Sequence, residues 1–272
     1  MKAVALDLDG TLLNSKHKVT ERTKNILNKL HHSEVKVVLA SARPIKSVLK
    51  IANEIGFINQ PMIGGNGGII ASSDNEILYK KSISKKDFIQ IKVLVNNFVK
   101  ENKTIDLTMH IYSDFNWFVP FDTSMAREEA RIIGFNPNAI GEDAFQATEA
   151  EKIMFVANPN DLNIFSEQLK RTLPHLNSVL SKADSLEINA EGVSKFSGVA
   201  QFAFLNHFDV KDIVAMGDGD NDALMLETCG FGVAMANASL LAKKAADKLT
   251  LSNDEDGVAI FLESYFAHFL RD

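Results

Sequence analysis

The residues of this chain best suited to do chemistry are acids at the ends of apolar runs. Asp7 and Asp9 follow Ala3-Val4-Ala5-Leu6 and run into Gly10-Thr11. The apolar run is too short for a helix and reads as a buried parallel strand ending in a polar turn. In extended backbone residues i and i+2 project to one side. Both carboxylates therefore share a face at the carboxyl edge of the strand, where open α/β sheets bind ligands. Carboxylates so close repel, and either a proton or a cation relieves them. The cation is expected, because a second acidic cluster, Gly217-Asp218-Gly219-Asp220-Asn221-Asp222, ends another apolar run over 213–216. Parallel strands put their carboxyl ends on one edge, so the clusters converge into a hard-oxygen site suited to Mg²⁺ with retained waters. Such an ion takes a phosphate oxygen as a further ligand.

Other turns supply what a phosphate needs. Ser41 lies between a strand and a helix, where its hydroxyl and the free helix N–H groups bind an anion. Lys195 opens another helix and brings a positive charge to the same edge. With the substrate neutralised, Asp7 is free to attack phosphorus, and hydrolysis divides into formation and breakdown of an aspartyl phosphate. Asp9 is placed to protonate the leaving oxygen and later to deprotonate the water.

The elements that must hold these groups follow from periodicity. Thr20 caps a helix carrying Thr23, Ile26, Leu27 and Leu30, residues 35–40 form a second buried strand, and Pro44 begins a helix that Gly56 stops. Met62 and Ile63 form a short third strand leading into Gly64-Gly65-Asn66-Gly67-Gly68, and this alternation of strand and helix predicts right-handed crossovers and a parallel sheet. Near Tyr79 the pattern changes. A helix is expected over 85–100, a strand with one wet face through Ile105, Leu107, Met109 and Ile111, then strand 116–119, helix 123–133, strand 152–157 and helix 161–173. The parallel pattern returns with helix 194–204, strand 213–216, a helix through Leu226, strand 231–236, helix 240–246, a strand around Leu249 and a helix from Asp256. The expected fold is α/β, a Rossmann-like doubly wound parallel sheet core of residues 1–81 and 188–272, with an α+β cap of residues 82–187 inserted into it.

Composition narrows the function classes. The formal net charge is −6, from 29 basic and 35 acidic residues without a block of one sign, which disfavours nucleic acid as a partner. The single Cys229 excludes an intrachain disulfide and any cysteine-based metal site. Asp7 and Asp9 fall where a secretory signal needs apolar residues, and no later apolar run approaches the roughly 18 residues of a spanning helix. A soluble cytoplasmic protein acting on a small phosphorylated metabolite is expected, without nucleic-acid or membrane partners.

The sequence resembles the haloacid dehalogenase (HAD) superfamily, in its Cof-type sugar-phosphatase branch. Asp7-Leu8-Asp9-Gly10-Thr11 matches its DxDGT signature, Gly217 to Asp222 its GDxxND signature, and Gly192-Val193-Ser194-Lys195 its lysine motif. Gly232 to Ala238 and Ser252 to Val258 look like the closing motifs of the branch. The resemblance covers the core and is weak in the insert. It implies Mg²⁺-dependent hydrolysis of phosphate monoesters with Asp7 as nucleophile and Asp9 as acid and base. Mg²⁺ would be held by the Asp7 carboxylate, the Asp9 main-chain carbonyl and Asp218. Ser41, Lys195 and Asn221 would contact phosphate, with Leu8 and Ala42 in the same turns, and Asp222 would orient Lys195 or a metal-bound water. Arg43 and Asn66 complete the set as supporting residues.

Two departures from the family pattern bear on turnover. Ala42 stands where relatives often have glycine, and Phe196 follows Lys195 where glycine is usual; a ring there either narrows the pocket or packs into the core. Rival readings are a phosphomutase or other phosphotransferase, which must exclude water, and a low-turnover regulatory protein that binds a phosphorylated ligand. Calcium is rejected at 218–222, because an EF-hand loop starting there would put Ala223 and Cys229 at its required glycine and glutamate. The Gly64 to Gly68 stretch reads as a turn, with Asn66 facing the pocket as the weaker alternative. Trp117 reads as core, and Asp114, Trp117 and Arg127 are the cap residues considered for substrate contact.

Overall fold

The structure is a computed structural model and describes all residues except 59, 103–106, 121, 142–143, 145–148 and 269–272. The chain begins with β1 (Ala3–Leu6), α1 (Glu21–His31), β2 (Lys36–Leu39), α2 (Ile45–Glu54), β3 (Met62–Gly64), β4 (Ile69–Ala71) and β5 (Ile77–Lys80). A second block follows: α3 (Lys85–Glu101), β6 (Thr108–Ser113), β7 (Asn116–Val119), α4 (Ser124–Ile133), β8 (Ala139–Ile140), β9 (Lys152–Val156), α5 (Pro159–Thr172), β10 (Asn177–Lys182) and β11 (Ser185–Asn189). The chain then returns through α6 (Lys195–Leu205), β12 (Ile213–Gly217), α7 (Ala223–Thr228), β13 (Phe231–Ala234), α8 (Leu240–Ala245), β14 (Lys248–Leu249) and α9 (Gly257–Tyr265).

The five-stranded sheet runs β14-β13-β12-β1-β2 and is parallel throughout, with Ala3 opposite Ile213 and Leu6 opposite Met216. All four residues of β1 are fully buried. Such burial requires cover on both faces. The helices provide it, α1 packing with α9, and α7 with α6 and α8. Each fully buried Val or Leu contributes about 1.5–3 kcal/mol, which anchors β1 at the centre of the domain. From β1 the chain proceeds outward to β2, whereas from β12 it proceeds the other way to β13 and β14. The crevice above β1 and β12 is therefore the topological switch point of the sheet, the usual place for a ligand.

The expected parallel place for the third strand needs correction. β3 pairs antiparallel with β4, which pairs antiparallel with β5, and a single parallel bridge from Ala40 to Ile63 joins this small sheet to the end of β2. The cause lies in the glycine-rich stretch. Gly65, Asn66 and Gly67 all take positive φ, so the chain reverses within a few residues and β3 meets β4 at once.

The second block is a six-stranded sheet ordered β10-β11-β9-β6-β7-β8, antiparallel except for β7 with β8. Phe88, Phe98, Phe165 and Leu169 of α3 and α5 cover one face, against Ile111, Ile153, Phe155 and Ile188. The wet face expected on β6 is dry. Thr108, His110 and Tyr112 are 1%, 0% and 3% exposed, because α4 lays Ala126 and Ile133 against Tyr112, Trp117 and Met154. His110 stacks on Trp117 with centroids 5.7 Å apart. Neither of its ring nitrogens has a hydrogen-bond partner among the described residues. Burial, with the Lys152 charge added, pushes its pKa down to about 3. Ile105 of the expected strand lies outside the described residues. Strands β4, β5, β8, β10 and β11 have no counterpart in the sequence reading.

Candidate active site

Asp7 directly follows β1, and its N–H continues the ladder by donating to the Met216 carbonyl at 3.0 Å. The chain then turns through Gly10, whose φ of +82° is left-handed; a Cβ built there would lie 2.2 Å from Asp218 Oδ2. Glycine is thus required twice, by the conformation and by the close approach of Asp218. Thr11 Oγ1 donates to Asp218 Oδ1 at 3.0 Å, and Asn237 Nδ2 donates to the Gly10 carbonyl at 2.8 Å, so the two turns hold each other.

Carboxylate oxygens of Asp7, Asp218 and Asp222 all lie within 4.8 Å of one another. Lys195, placed at the first position of α6 by the capping box of Ser194 and Ser197, donates from Nζ to Asp7 Oδ1 and to Asp222 Oδ1, each at 2.6 Å. All three of these side chains are buried. The second oxygen of Asp222 accepts N–H groups from Asp218 at 3.0 Å and Gly219 at 2.8 Å. Asp222 thus holds Lys195 with one oxygen and the backbone of its own turn with the other. Burial raises Asp7 well above the usual carboxylate range, and Asp222 and Asp218 push it further while Lys195 opposes them. Asp218 is raised as well, by burial above all, against the Thr11 hydrogen bond. Although burial disfavours its charge, Lys195 is raised too, by Asp222 and Asp7. Three carboxylates facing one ammonium leave two negative charges unmatched when all are ionised, a buried imbalance that a divalent cation relieves. Oxygen donors alone, on Asp7 and Asp218, fit a hard ion such as Mg²⁺.

Asp9 is arranged differently. Arg43 donates from Nε to Oδ2 at 2.7 Å and from Nη2 to Oδ1 at 2.6 Å, a bidentate pair. Burial works to raise Asp9, but the hydrogen bonds and charge of Arg43 outweigh it and hold the carboxyl below the usual range. The same guanidinium reaches across to the second block, where Nη1 donates to the Ile132 carbonyl at 3.2 Å. With its side chain engaged in this way, Asp9 has its main-chain carbonyl to offer a metal.

Ser41 closes β2, its N–H bonded to the Ile63 carbonyl at 3.0 Å, and its Oγ accepts the Arg43 N–H at 3.1 Å. Asp7, Asp9, Ser41, Ala42, Arg43, Lys195 and Asn221 line one cavity of about 930 Å³ whose other wall comes from the second block. Leu8 is fully buried, which leaves its backbone for any contact with a ligand. Asn66, at φ +58°, stands behind that wall, accepting from Asn221 Nδ2 at 3.3 Å and donating to Glu187 Oε2 at 2.8 Å. Phe196 packs against the core and does not line the cavity.

The three cap candidates lie elsewhere. Asp114 pairs with Lys80 at 2.9 Å, Arg127 pairs with Asp122 at 2.8 Å, and Trp117 is fully buried; none of them lines the cavity. Among the residues that face it from the second block are Lys152, Met154 and Val156 of β9, Ser185 and Glu187 of β11, Glu128, Glu129, Arg131 and Ile132 of α4, and Lys182 of β10. Lys152 Nζ lies 2.8 Å from both Glu187 Oε1 and the Ala42 carbonyl, joining the two blocks. The signal for β11 was present: Ser185, Glu187 and Asn189 alternate with Leu186 and Ile188, the period of a strand.

A parallel sheet with acids at its switch point, roofed by an α+β block inserted between its halves, is the architecture of the haloacid dehalogenase-like hydrolases. The sequence model of that family matches residues 4–262, and the chain belongs to it. Phosphatase YwpJ of Bacillus subtilis is 28% identical over 95% of this chain and 98% of its own length. The 5-amino-6-(5-phospho-D-ribitylamino)uracil phosphatase YcsE of the same organism is 28% identical over 95% of this chain and 93% of its own. Among solved structures, a haloacid dehalogenase-like hydrolase from Bacteroides thetaiotaomicron superposes with a TM-score of 0.85 at 28% identity, covering 97% of this chain and 99% of that one.

Proposed function

We propose that this hydrolase is a Mg²⁺-dependent phosphatase of small phosphorylated metabolites, sugar phosphates foremost, working through an aspartyl phosphate on Asp7. The observation that carries this reading is the meeting of Asp7, Asp218 and Lys195 at the carboxyl edge of β1 and β12. Asp7, Asp218 and the Asp9 carbonyl would hold Mg²⁺, which when bound neutralises the excess charge and polarises a phosphate oxygen. Lys195, Ser41 and Asn221 would bind the phosphoryl oxygens, with Asp222 keeping Lys195 aimed. Asp7 then attacks phosphorus and the ester oxygen leaves with a proton from Asp9; water released onto the phosphoenzyme gives its proton back to Asp9. For the first step Asp9 must leave Arg43 and take up a proton, and the contact from Arg43 to Ile132 makes the cap, residues 82–187, the part that would have to shift. The single, buried Cys229 suits a reducing, cytoplasmic setting.

The test is release of phosphate from p-nitrophenyl phosphate by purified protein. Chelation is expected to stop it and added Mg²⁺ to restore it; release indifferent to EDTA would remove the metal from the proposal.

A further inference from the structure

A line of side-chain amides runs from the second block to the cavity, and each fixes which way round the next one sits. It starts at groups that can only accept. The carbonyls of Gly65 and Glu151 take Asn189 Nδ2 at 2.9 and 2.8 Å, so Asn189 turns its Oδ1 toward Asn66. The Glu187 carboxylate, whose Oε1 lies 2.8 Å from Lys152 Nζ, is an acceptor too. Asn66 meets both with its NH2 group, at 2.8 Å to Glu187 Oε2 and 3.3 Å to Asn189 Oδ1. Its oxygen is left for Asn221, whose Nδ2 donates to it at 3.3 Å. Reversing Asn66 would set its oxygen against a carboxylate and its NH2 against another NH2. Asn66, Glu187 and Asn189 are all buried, which makes such a mismatch costly. Asn221, by contrast, is exposed and lines the cavity. The second N–H of its Nδ2 has no partner among the described residues.

We propose that Asn66 and Glu187 are positioning residues that orient the Asn221 amide, so that the inserted block determines which atom this core turn offers to a phosphoryl oxygen. This rests on the phosphatase reading, in which Asn221 binds phosphate, and names what aims that contact. An unrestrained asparagine would present its carbonyl as readily as its NH2, and the carbonyl repels an anion. Held by Asn66, it meets the phosphoryl group already oriented, and the ordering cost is not charged against binding. Asn66 suits the task because asparagine tolerates its φ of +58° and carries both a donor and an acceptor.

The experiment measures inorganic phosphate binding by titration calorimetry in excess Mg²⁺, and kcat/KM for p-nitrophenyl phosphate. It compares the unmodified protein with Asn66→Gly, Glu187→Gln and Asn221→Ala, and with Asn221→Ala combined with each of the other two. Glycine keeps the left-handed backbone and removes only the amide. Asn66→Gly is expected to raise the phosphate Kd and lower kcat/KM by about three- to tenfold, as Asn221→Ala does. Glu187→Gln should show a smaller loss, since glutamine lets Asn66 settle either way round. Neither change should add to the loss in the Asn221→Ala background, because no amide remains there to be aimed. Binding stoichiometry should stay constant throughout, whereas a damaged fold would lower it and leave Kd unmoved. If Asn66→Gly does not fold, the Glu187→Gln pair answers the same question. Losses that multiply with Asn221→Ala, or variants at 66 and 187 that bind phosphate as the unmodified protein does, overturn this proposal alone while p-nitrophenyl phosphate is still hydrolysed. An unmodified protein that neither binds phosphate nor hydrolyses the ester overturns the phosphatase reading and the positioning role with it.

Discussion

The cavity joins two walls built on opposite principles. The wall at the sheet edge draws its side chains from turns: Asp7 and Asp9 follow β1, Ser41 follows β2, Asn221 follows β12 and Lys195 begins α6, with Asp218 and Asp222 set beside Asp7 outside the lining. The wall contributed by the inserted block draws Lys152, Glu187 and Glu129 from the interiors or first positions of two strands and a helix. Their electrostatics differ as well. Acids exceed cations at the sheet edge, whereas across the cavity Lys152 is paired with Glu187 and Arg131 with Glu128. A surplus of buried carboxylate is costly and survives where it binds a cation or does chemistry; a matched set holds shape and reads a ligand.

The largest effect should come from Asp7→Asn. Hydrolysis is expected to fall by more than about a thousandfold, because the proposed nucleophile is gone. Thermal unfolding should change by no more than about 1 kcal/mol, because Lys195 keeps Asp222 and the carboxylate crowding eases. Steady-state kinetics and a melting curve check both halves, and an active variant would move the chemistry away from this wall. Lys195→Met comes next. It leaves Asp7 and Asp222 buried without their ammonium, which should cost about 3–5 kcal/mol of stability together with most of the activity. Denaturant unfolding measures the loss. A variant as stable as its parent would show that the acids at this edge carry protons.

The smallest effect tests the other wall. His110 is neutral in the fold down to about pH 3, whereas in the unfolded chain it takes up a proton below about 6.5. The unfolded state binds the extra proton in this window, so the His110 contribution is complete above about pH 6.5 and is lost as pH falls, at up to about 1.4 kcal/mol per pH unit. His110→Phe removes this linkage. The melting temperature of the variant should gain on that of the unmodified protein as pH goes from 7 to 5; parallel curves would mean that the imidazole is not held neutral.

The two walls also differ in how well they can be read from residues alone. The acids, Ser41 and Lys195 stand within a few residues of the turns that orient them, and their local pattern already implied one shared edge. Arg43 and Asn66 were legible as neighbours of the site, but the clamp on Asp9 and the bridge from Asn221 to Glu187 were not, since each spans more than thirty residues of chain. Phe196 illustrates the limit from the other side: the alternatives of pocket and core were both sound, and packing chose the core.

Residue order by itself determined the buried strands, the chemistry at their ends, and the interruption of one sheet by a different kind of block, because apolar period and turn chemistry act over a few neighbours. Tertiary structure alone decided that β3 turns back on β4, that the polar side of β6 is dry, and that Glu129 and Glu187 line one cavity with Asp7. Those outcomes depend on strand register and on which helix covers which face, and both are set by contacts between residues far apart in the chain.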